Sequence, residues 1–362
     1  MQDHSYLVLA QSGRFLAKNL QYTGRPIWVA DCFGDSDTLS SCEKWLALPS
    51  LEDSGAIETL LAQLPSDKHF HLICGNGVEN FYPALNNLPS NIHLIGNSID
   101  TIRQIKTAKL FFQQLKQLKI LHPETRFDRP ETNGSWLTKS MQGMGGVHIR
   151  YLHDSADVTD CYFQRYHSGI SGSALILANG ISAQLLSLNR HFYSATDTIP
   201  FRLTAIDNSL TLSNQQTGSV NSAIANLTVT YGLVGLNSID FIIDQDGNLL
   251  ITEINPRPSA SVELLLDSAQ ALQLHLQACK GQPPKTGLFH NSDYKACLIY
   301  HFAPDELTVR DSINWPEHCQ DIPQAETNIK QQEIVCTSVI KNCHYSHNMH
   351  RTLTSEIFVN LK

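Results

Sequence analysis

The stretch LLITEINPRPS, Leu249 to Ser259, runs from an apolar strand into a turn. Successive strand side chains point to opposite faces, so Glu253 and Asn255 project the same way. Just upstream lies SIDFIIDQDGN, Ser238 to Asn248. Its Asp246-Gly247 pair is a strong signal for a two-residue hairpin turn, which needs positive φ at both positions. Counting outward from that turn sets Asp240 opposite Glu253, with Asn255 two residues further along the same face. Three oxygen-bearing side chains on one side of an otherwise apolar hairpin suit a hard divalent cation, and Mg²⁺ in particular prefers oxygen donors. The absence of His and Cys from the set argues against zinc. A hairpin whose polar side simply meets water shows the same pattern.

A second stretch, WLTKSMQGMGGVHIR, covers residues 136–150. Lys139 ends one apparent strand, and Gly143, Gly145 and Gly146 precede the next. Glycines let backbone N–H groups approach phosphate oxygens, and a lysine adds positive charge. A Walker loop would carry its lysine at the end of the glycine run and lead into a helix. This loop joins two strands and reads as a flap over phosphates, although a glycine-rich turn without a ligand has the same composition.

The chain has 362 residues, 42% of them hydrophobic and 17% charged, enough for two or three domains with a substantial core. A net charge of −8 argues against non-specific binding to nucleic acid or to an anionic membrane. Nine scattered cysteines with no Cys-x-x-Cys pair read as reduced thiols, which implies a cytoplasmic setting. The first 20 residues lack the pattern of a signal peptide, and no apolar run is long enough to span a bilayer.

Three parts are expected. Residues 1–100 alternate short apolar strands (6–10, 27–31, 69–74, 92–95) with helical stretches, the pattern of a doubly wound parallel sheet. Residues 101–285 open with an amphipathic helix at 102–120, whose apolar face includes Leu110, Phe111, Leu115 and Leu118, and continue as a strand-rich region. Residues 286–362 form a strand-rich C-terminal segment. The fold class is therefore mixed α/β and α+β.

Taken together, these motifs in this order resemble the ATP-grasp superfamily. EINPRPS is similar to the Glu-x-Asn-x-Arg signature of its biotin carboxylase and carbamoyl-phosphate synthetase branch, and the C-terminal segment looks like that branch too. The resemblance implies a Rossmann-like pre-ATP-grasp domain, an ATP-grasp domain of two lobes, and ATP with Mg²⁺ (or Mn²⁺) as cofactors. It implies metal ligation by Asp240, Glu253 and Asn255, and phosphate contacts from Lys139 beneath the flap of Gly143, Gly145 and Gly146. A second phosphate lysine is expected at Lys109, with Lys106 as the alternate. Gln164-Arg165-Tyr166 stands where the family's adenine hinge usually reads Gln-Glu-aromatic, and Arg257 would orient the acceptor or the transferred phosphoryl group. The implied activity is a carboxylate–amine ligation through an acyl phosphate, of the kind found in coenzyme pathways; tyramine–glutamate ligation for methanofuran is one example. Small-molecule acid and amine substrates are the implied partners, and a homodimer is compatible with the resemblance. Bicarbonate activation, as in the carboxylase relatives, and a non-catalytic ATP-binding sensor are the other readings.

Some features stand outside that scheme. His344, His347 and His350, beside Cys343, have the spacing of a helical metal site and equally that of a solvated loop. Gly75-Asn76-Gly77-Val78-Glu79-Asn80 and Ser12-Gly13-Arg14 follow strands, where an acceptor pocket or a plain turn is expected. Asp31 and Asp35 read as loop caps or ligand contacts.

Overall fold

The computed structural model describes residues 4–131, 135–141, 143, 145–152, 159–196, 199–284, 294–311 and 313–361. The N-terminal region is a five-stranded, all-parallel sheet in the order Lys44–Ala47, Ile27–Asp31, His4–Leu9, His69–Cys74, Ile92–Leu94. Leu7, Leu9, Phe70 and Leu72 are fully buried because helices cover both faces of such a sheet. The strand Lys44–Ala47 is the one absent from the expected set: it lies at the edge, with Lys44 and Ala47 exposed and Trp45 and Leu46 half-buried.

The helix expected over 102–120 is two helices, Ile99–Lys106 and Ala108–Gln117. They meet at Thr107, whose backbone is extended (φ −80°, ψ 96°) and serves both as the end of one helix and the start of the next. The break leaves Lys106 on the last turn of the first helix, while Phe111, Phe112 and Leu115 of the second enter the main core.

The rest of the chain is built on one eight-stranded antiparallel sheet, ordered Leu249–Asn255, Val234–Asp244, Gly169–Asn179, Ala183–Ser194, Arg202–Asp207, Ala296–Phe302, Ile334–Lys341, Cys319–Gln320. The expected boundary at 285/286 lies outside the described residues, but the sheet is continuous across it: Ala205 pairs with Ile299 and Ile206 with Leu298. The helix Asn214–Tyr231 packs Ile224 and Leu227 onto one face, against Ile176, Ile239 and Phe241. The helix Ser268–Ala278 covers Leu175, Leu177 and Leu236 on the other face. A smaller sheet, ordered Thr125–Arg126, Cys161–Arg165, Trp136–Ser140, Ile149–Tyr151, carries the glycine flap.

The hairpin differs from the expected one in two ways that compensate. Asp244 N–H donates to Asn248 O at 3.0 Å, and Gly247 N–H to Asp244 O at 3.1 Å, with Gly247 at φ +82°, so the turn is one residue longer than a two-residue loop. The Asp244 carboxylate holds it by accepting from Asp246 and Asn248 N–H. That turn sets Phe241 opposite Ile251; one-for-one pairing from there would place Thr252 against Asp240 and turn Glu253 toward the apolar core. Instead a β-bulge intervenes, and Asp240 pairs with Glu253 and Ser238 with Asn255. Leu249, Ile251 and Ile254 all stay in the core, while Glu253 and Asn255 face the same side as Asp240. Bulges re-aim side chains in this way beside functional sites.

One buried cation joins the two ends of the chain. Arg14, 2% exposed, donates to both oxygens of Glu263 at 2.6 and 2.7 Å and to both of Asp321 at 3.0 and 3.1 Å. Gln320 accepts from it as well. Asp321 also takes Ser12 Oγ at 2.9 Å and Thr337 Oγ1 at 2.6 Å, and Asp37 accepts the backbone N–H groups of Asp321 and Ile322. Acids outnumber the one arginine here. Burial, and then repulsion from Asp321, Asp31 and Asp37, push the Asp35 carboxyl up to about 8. Removing one partner of a buried ion pair typically costs about 3–5 kcal/mol because the other charge is left buried and unpaired. Arg14→Ala is therefore expected to lower the thermal midpoint by several degrees, and Arg14→Lys, which lacks the bidentate fork, to recover only part of it. Differential scanning calorimetry of the three proteins checks this; equal midpoints would show that the network does not hold the parts together.

Candidate functional site

The side chains brought together by the hairpin lie in one cross-strand row. Glu253 pairs with Asp240, Asp240 with Ser173, and Ser173 with Asn189, across four neighbouring strands. Asn255 Nδ2 donates to Asp240 Oδ2 at 3.1 Å, which leaves Asn255 Oδ1 as an acceptor on the same face, and Ser238 Oγ donates to Asp240 Oδ1 at 3.0 Å. The row continues as a polar cluster. His191 Nε2 meets Ser173 Oγ at 3.0 Å, and Tyr193 OH meets Ser171 Oγ at 3.1 Å. Burial pushes the His191 imidazole down to about 4, so it is neutral at pH 7. Ser173, Asn189, His191 and Tyr193 escape sequence reading because they form a site only through lateral pairing, and each sits in an unremarkable strand.

Two carboxylates directly opposite each other repel. Burial raises the Asp240 pKa, to about 7, and the charge of Glu253 adds to the rise against the opposing pull of Ser238, Lys106 and Arg257. Glu253 goes the other way. Burial alone would raise it, but the Lys106 ammonium, in contact with Glu253 Oε1, and then Lys139 and His148 bring it below the usual glutamate value. The pair thus divides into one firmly ionised carboxylate and one that gives up its proton reluctantly. Burial lowers Lys139 in turn, opposed by the charges of Glu253 and Asp240, so its ammonium lies within electrostatic reach of both acids.

Of the two lysines expected as the second phosphate contact, Lys106 makes the ion pair with Glu253, its side chain only 13% exposed. Lys109 lies exposed on the following helix, turned outward by the break at Thr107. Arg257 is anchored by Glu79 at 3.0 Å, and Glu79 also accepts the Gly77 N–H at 3.1 Å, so the Gly75-Asn76-Gly77 turn supports the arginine from the parallel sheet. Asn97, at the end of the last parallel strand, binds Pro256 O, Asn237 Oδ1 and Val234 N–H at 2.7–2.9 Å and fixes the chain just before Arg257. The sequence sets Glu79 in a candidate pocket loop and Asn97 at a strand end, but nothing local links either to its partner more than a hundred positions away.

The glycine flap is tied down by the large sheet. Leu203 N–H donates to Gly145 O at 3.2 Å, and a Cβ on Gly146 would lie 2.0 Å from Phe201 O. Gly145 and Gly146 both have positive φ, +62° and +76°. Gly143 packs against the His148 ring, where a Cβ would come within 2.4 Å. In the hinge, Gln164 is buried and donates to Thr125 Oγ1 at 3.1 Å, while the Arg165 guanidinium stacks 5.5 Å from the Trp136 ring. The N–H groups of Arg165 and Tyr166 are taken by Glu124 O and Ser135 O, at 2.8 and 2.9 Å. The next donor along the chain is His167 N–H.

The other candidates resolve separately. Asp31 is structural: it accepts from Gly13 N–H, Gly34 N–H and Trp45 Nε1 at 2.8–2.9 Å. Among the described residues no group of three His, Cys, Asp or Glu is arranged to hold a metal, and this covers His344, His347 and His350. None of the nine cysteines is in a disulfide. No helix among the described residues is long and apolar enough to cross a membrane.

Residues 107–261 match a family model described as an ATP-grasp domain. Three solved structures share the architecture. N5-carboxyaminoimidazole ribonucleotide synthetase from Thermotoga maritima is 14% identical with a TM-score of 0.66, covering 99% of each chain. L-amino acid ligase from Bacillus licheniformis is 13% identical with a TM-score of 0.67, covering 99% of this chain and 98% of that one. The biotin carboxylase domain of Hydrogenobacter thermophilus 2-oxoglutarate carboxylase, solved with MgADP and bicarbonate, is 12% identical with a TM-score of 0.72, covering 94% and 86%. At these identities the likeness is one of fold.

The raised Asp240 has a measurable consequence. The native chain keeps a proton that the unfolded chain releases near pH 4, so this contribution to stability is full below that pH and is lost as pH rises through about 7. Asp240→Asn is expected to raise the thermal midpoint of metal-free protein at pH 8, on the order of 2–4 °C per kcal/mol of relieved repulsion, and to leave it unchanged at pH 4. Equal midpoints at pH 8 would show that Asp240 and Glu253 do not oppose each other.

Proposed function

Residues 107–261 are an ATP-grasp domain, and from that premise we propose that the protein is an ATP- and Mg²⁺-dependent carboxylate–amine ligase acting through an acyl phosphate. The observation that carries the reading is the pairing of Asp240 with Glu253, with Asn255 alongside, Lys106 paired to Glu253 and Lys139 within electrostatic reach of both acids. The donor set fits a hard cation: two carboxylates and an amide oxygen, with no nitrogen or sulfur ligand. The Lys106 ammonium paired with Glu253 supports the reading, since a positive charge already sits against this carboxylate. Mg²⁺, or Mn²⁺ in its place, would be held by Asp240, Glu253 and Asn255 Oδ1 and would neutralise charge on the β- and γ-phosphates.

The remaining work falls to the chain's own groups. Lys139 and Lys106 offset phosphate charge, the latter on release from Glu253. Gly143, Gly145 and Gly146 close over the nucleotide and keep water from the intermediate. Adenine would be read at the Gln164-Arg165-Tyr166 hinge, through His167 N–H because the two preceding N–H groups are engaged. A substrate carboxylate oxygen attacks the γ-phosphorus in line and ADP leaves; the amine nitrogen then attacks the acyl carbon, and phosphate leaves with the C–O bond. Arg257, held by Glu79, orients the carboxylate. No protein nucleophile takes part. Small-molecule acid and amine are the proposed partners, with tyramine–glutamate ligation in a coenzyme pathway among the candidate pairings and a homodimer as the proposed assembly. Bicarbonate as the acid is the second reading, favoured by the likeness to a biotin carboxylase domain solved with MgADP and bicarbonate.

A pooled screen of acids and amines, with bicarbonate as a separate arm and ADP formation as readout, is expected to show turnover that needs Mg²⁺ and a carboxylate together. ATP binding without ADP release in every arm would instead make the protein a nucleotide sensor. Glu253→Gln should keep the fold by circular dichroism and abolish turnover; persistent activity would remove the metal-site assignment. Lys106→Ala is expected to lower kcat/KM by about 10²-fold or more, as for loss of one charge-stabilising donor, and Lys109→Ala to leave it nearly unchanged. The reverse ranking would restore Lys109 as the phosphate ligand.

A further inference from the structure

On the side of the large sheet away from Tyr193 lies a cavity of about 210 Å³. Its walls come from paired Ser194 and Arg202, from Phe302, from Tyr345, and from His347 and His350 on the helix His347–Leu361. The Arg202 guanidinium lies 4.2 Å from the Phe302 ring centre, and its Nη2 donates to Ser194 Oγ at 3.3 Å. Its Nε is buried and has no hydrogen-bond partner among the described residues. Tyr345 OH bridges His347 Nδ1 at 3.2 Å and His350 Nδ1 at 3.0 Å. No carboxylate is among the described residues that line the cavity, although the chain as a whole carries a net charge of −8.

A buried N–H without an acceptor costs free energy, and the partly buried Arg202 guanidinium faces no carboxylate among the described residues that line the cavity. An oxyanion in the cavity would accept from Arg202 and draw on the imidazoles and hydroxyls around it. The helix begins at the cavity, so its first turn adds a favourable dipole. A volume of 210 Å³ is below that of typical drug-sized pockets and too small for a nucleotide.

We propose that this cavity is a binding site for a small phosphate-type oxyanion, separate from the nucleotide and metal site on the opposite face of the sheet. The inference does not depend on the ligase reading, since a failed acceptor screen leaves it standing.

Isothermal titration of inorganic phosphate into the full chain, without nucleotide and at fixed chloride, tests it. One saturable site is expected. Arg202→Gln should weaken it about tenfold or more, the loss of one charged hydrogen-bonding partner; His350→Gln should weaken it a few-fold, since burial holds that imidazole in its neutral form; and Glu253→Gln should leave it unchanged. Should Arg202→Gln fail to fold by circular dichroism, Arg202→Lys and His350→Gln carry the same test. A parallel titration with glycerol 3-phosphate separates the sources: tighter binding assigns the site to a phosphate ester, weaker binding to free phosphate. The proposal is overturned if phosphate gives no saturable binding, if the Arg202 and His350 variants bind as the wild type does, or if Glu253→Gln abolishes binding while they retain it.

Discussion

The repulsion between Asp240 and Glu253 is the constraint around which this molecule is arranged. Two acids directly opposite on neighbouring strands oppose the pairing that holds them. The sheet keeps them there because its other face is a large apolar core, and burial of Ile239, Phe241, Ile251 and Ile254 outweighs the local cost. Lys106 and Lys139 offset part of it, and the pair splits into one ionised and one reluctant carboxylate. On the proposed reading, a divalent cation between the two acids would replace repulsion with shared attraction.

Holding that pair in place requires backbone features with no other evident purpose. The bulge between turn and site puts Glu253 and Asn255 beside Asp240 while leaving the apolar residues on the core side. The break at Thr107 ends a helix where Lys106 can reach Glu253. Gly146 has no Cβ because Phe201 O occupies that space, so the flap sits close against the large sheet.

The parallel sheet contributes through its strand ends. Glu79 and Asn97 hold Arg257 and Pro256, while Arg14 draws Glu263 and Asp321 together. Each contact joins residues far apart in the chain, and each is a charged or multiply bonded group in a buried setting. The first region is thus a structural wall of the site as well as a domain in its own right.

The sequence by itself determined the alternating strands and helices of the first hundred residues, the hairpin with its oxygen donors, and the lysine with its glycine flap. These follow from local rules: the two-residue period of strands, turn chemistry at Asp246-Gly247, and the freedom of glycine. The Asp240–Glu253 pairing emerged correctly from a turn that proved one residue longer, because the bulge made up the difference. A bulge is set by packing on both faces of a sheet, which no local pattern reveals. For the same reason the edge strand Lys44–Ala47, the break at Thr107, the exposure of Lys109 and the row Ser173–Asn189–His191 were decided only by tertiary structure. Periodicity tells which face a side chain takes; which neighbour it meets there depends on lateral pairing and long-range burial, energies that exist only once the chain has folded.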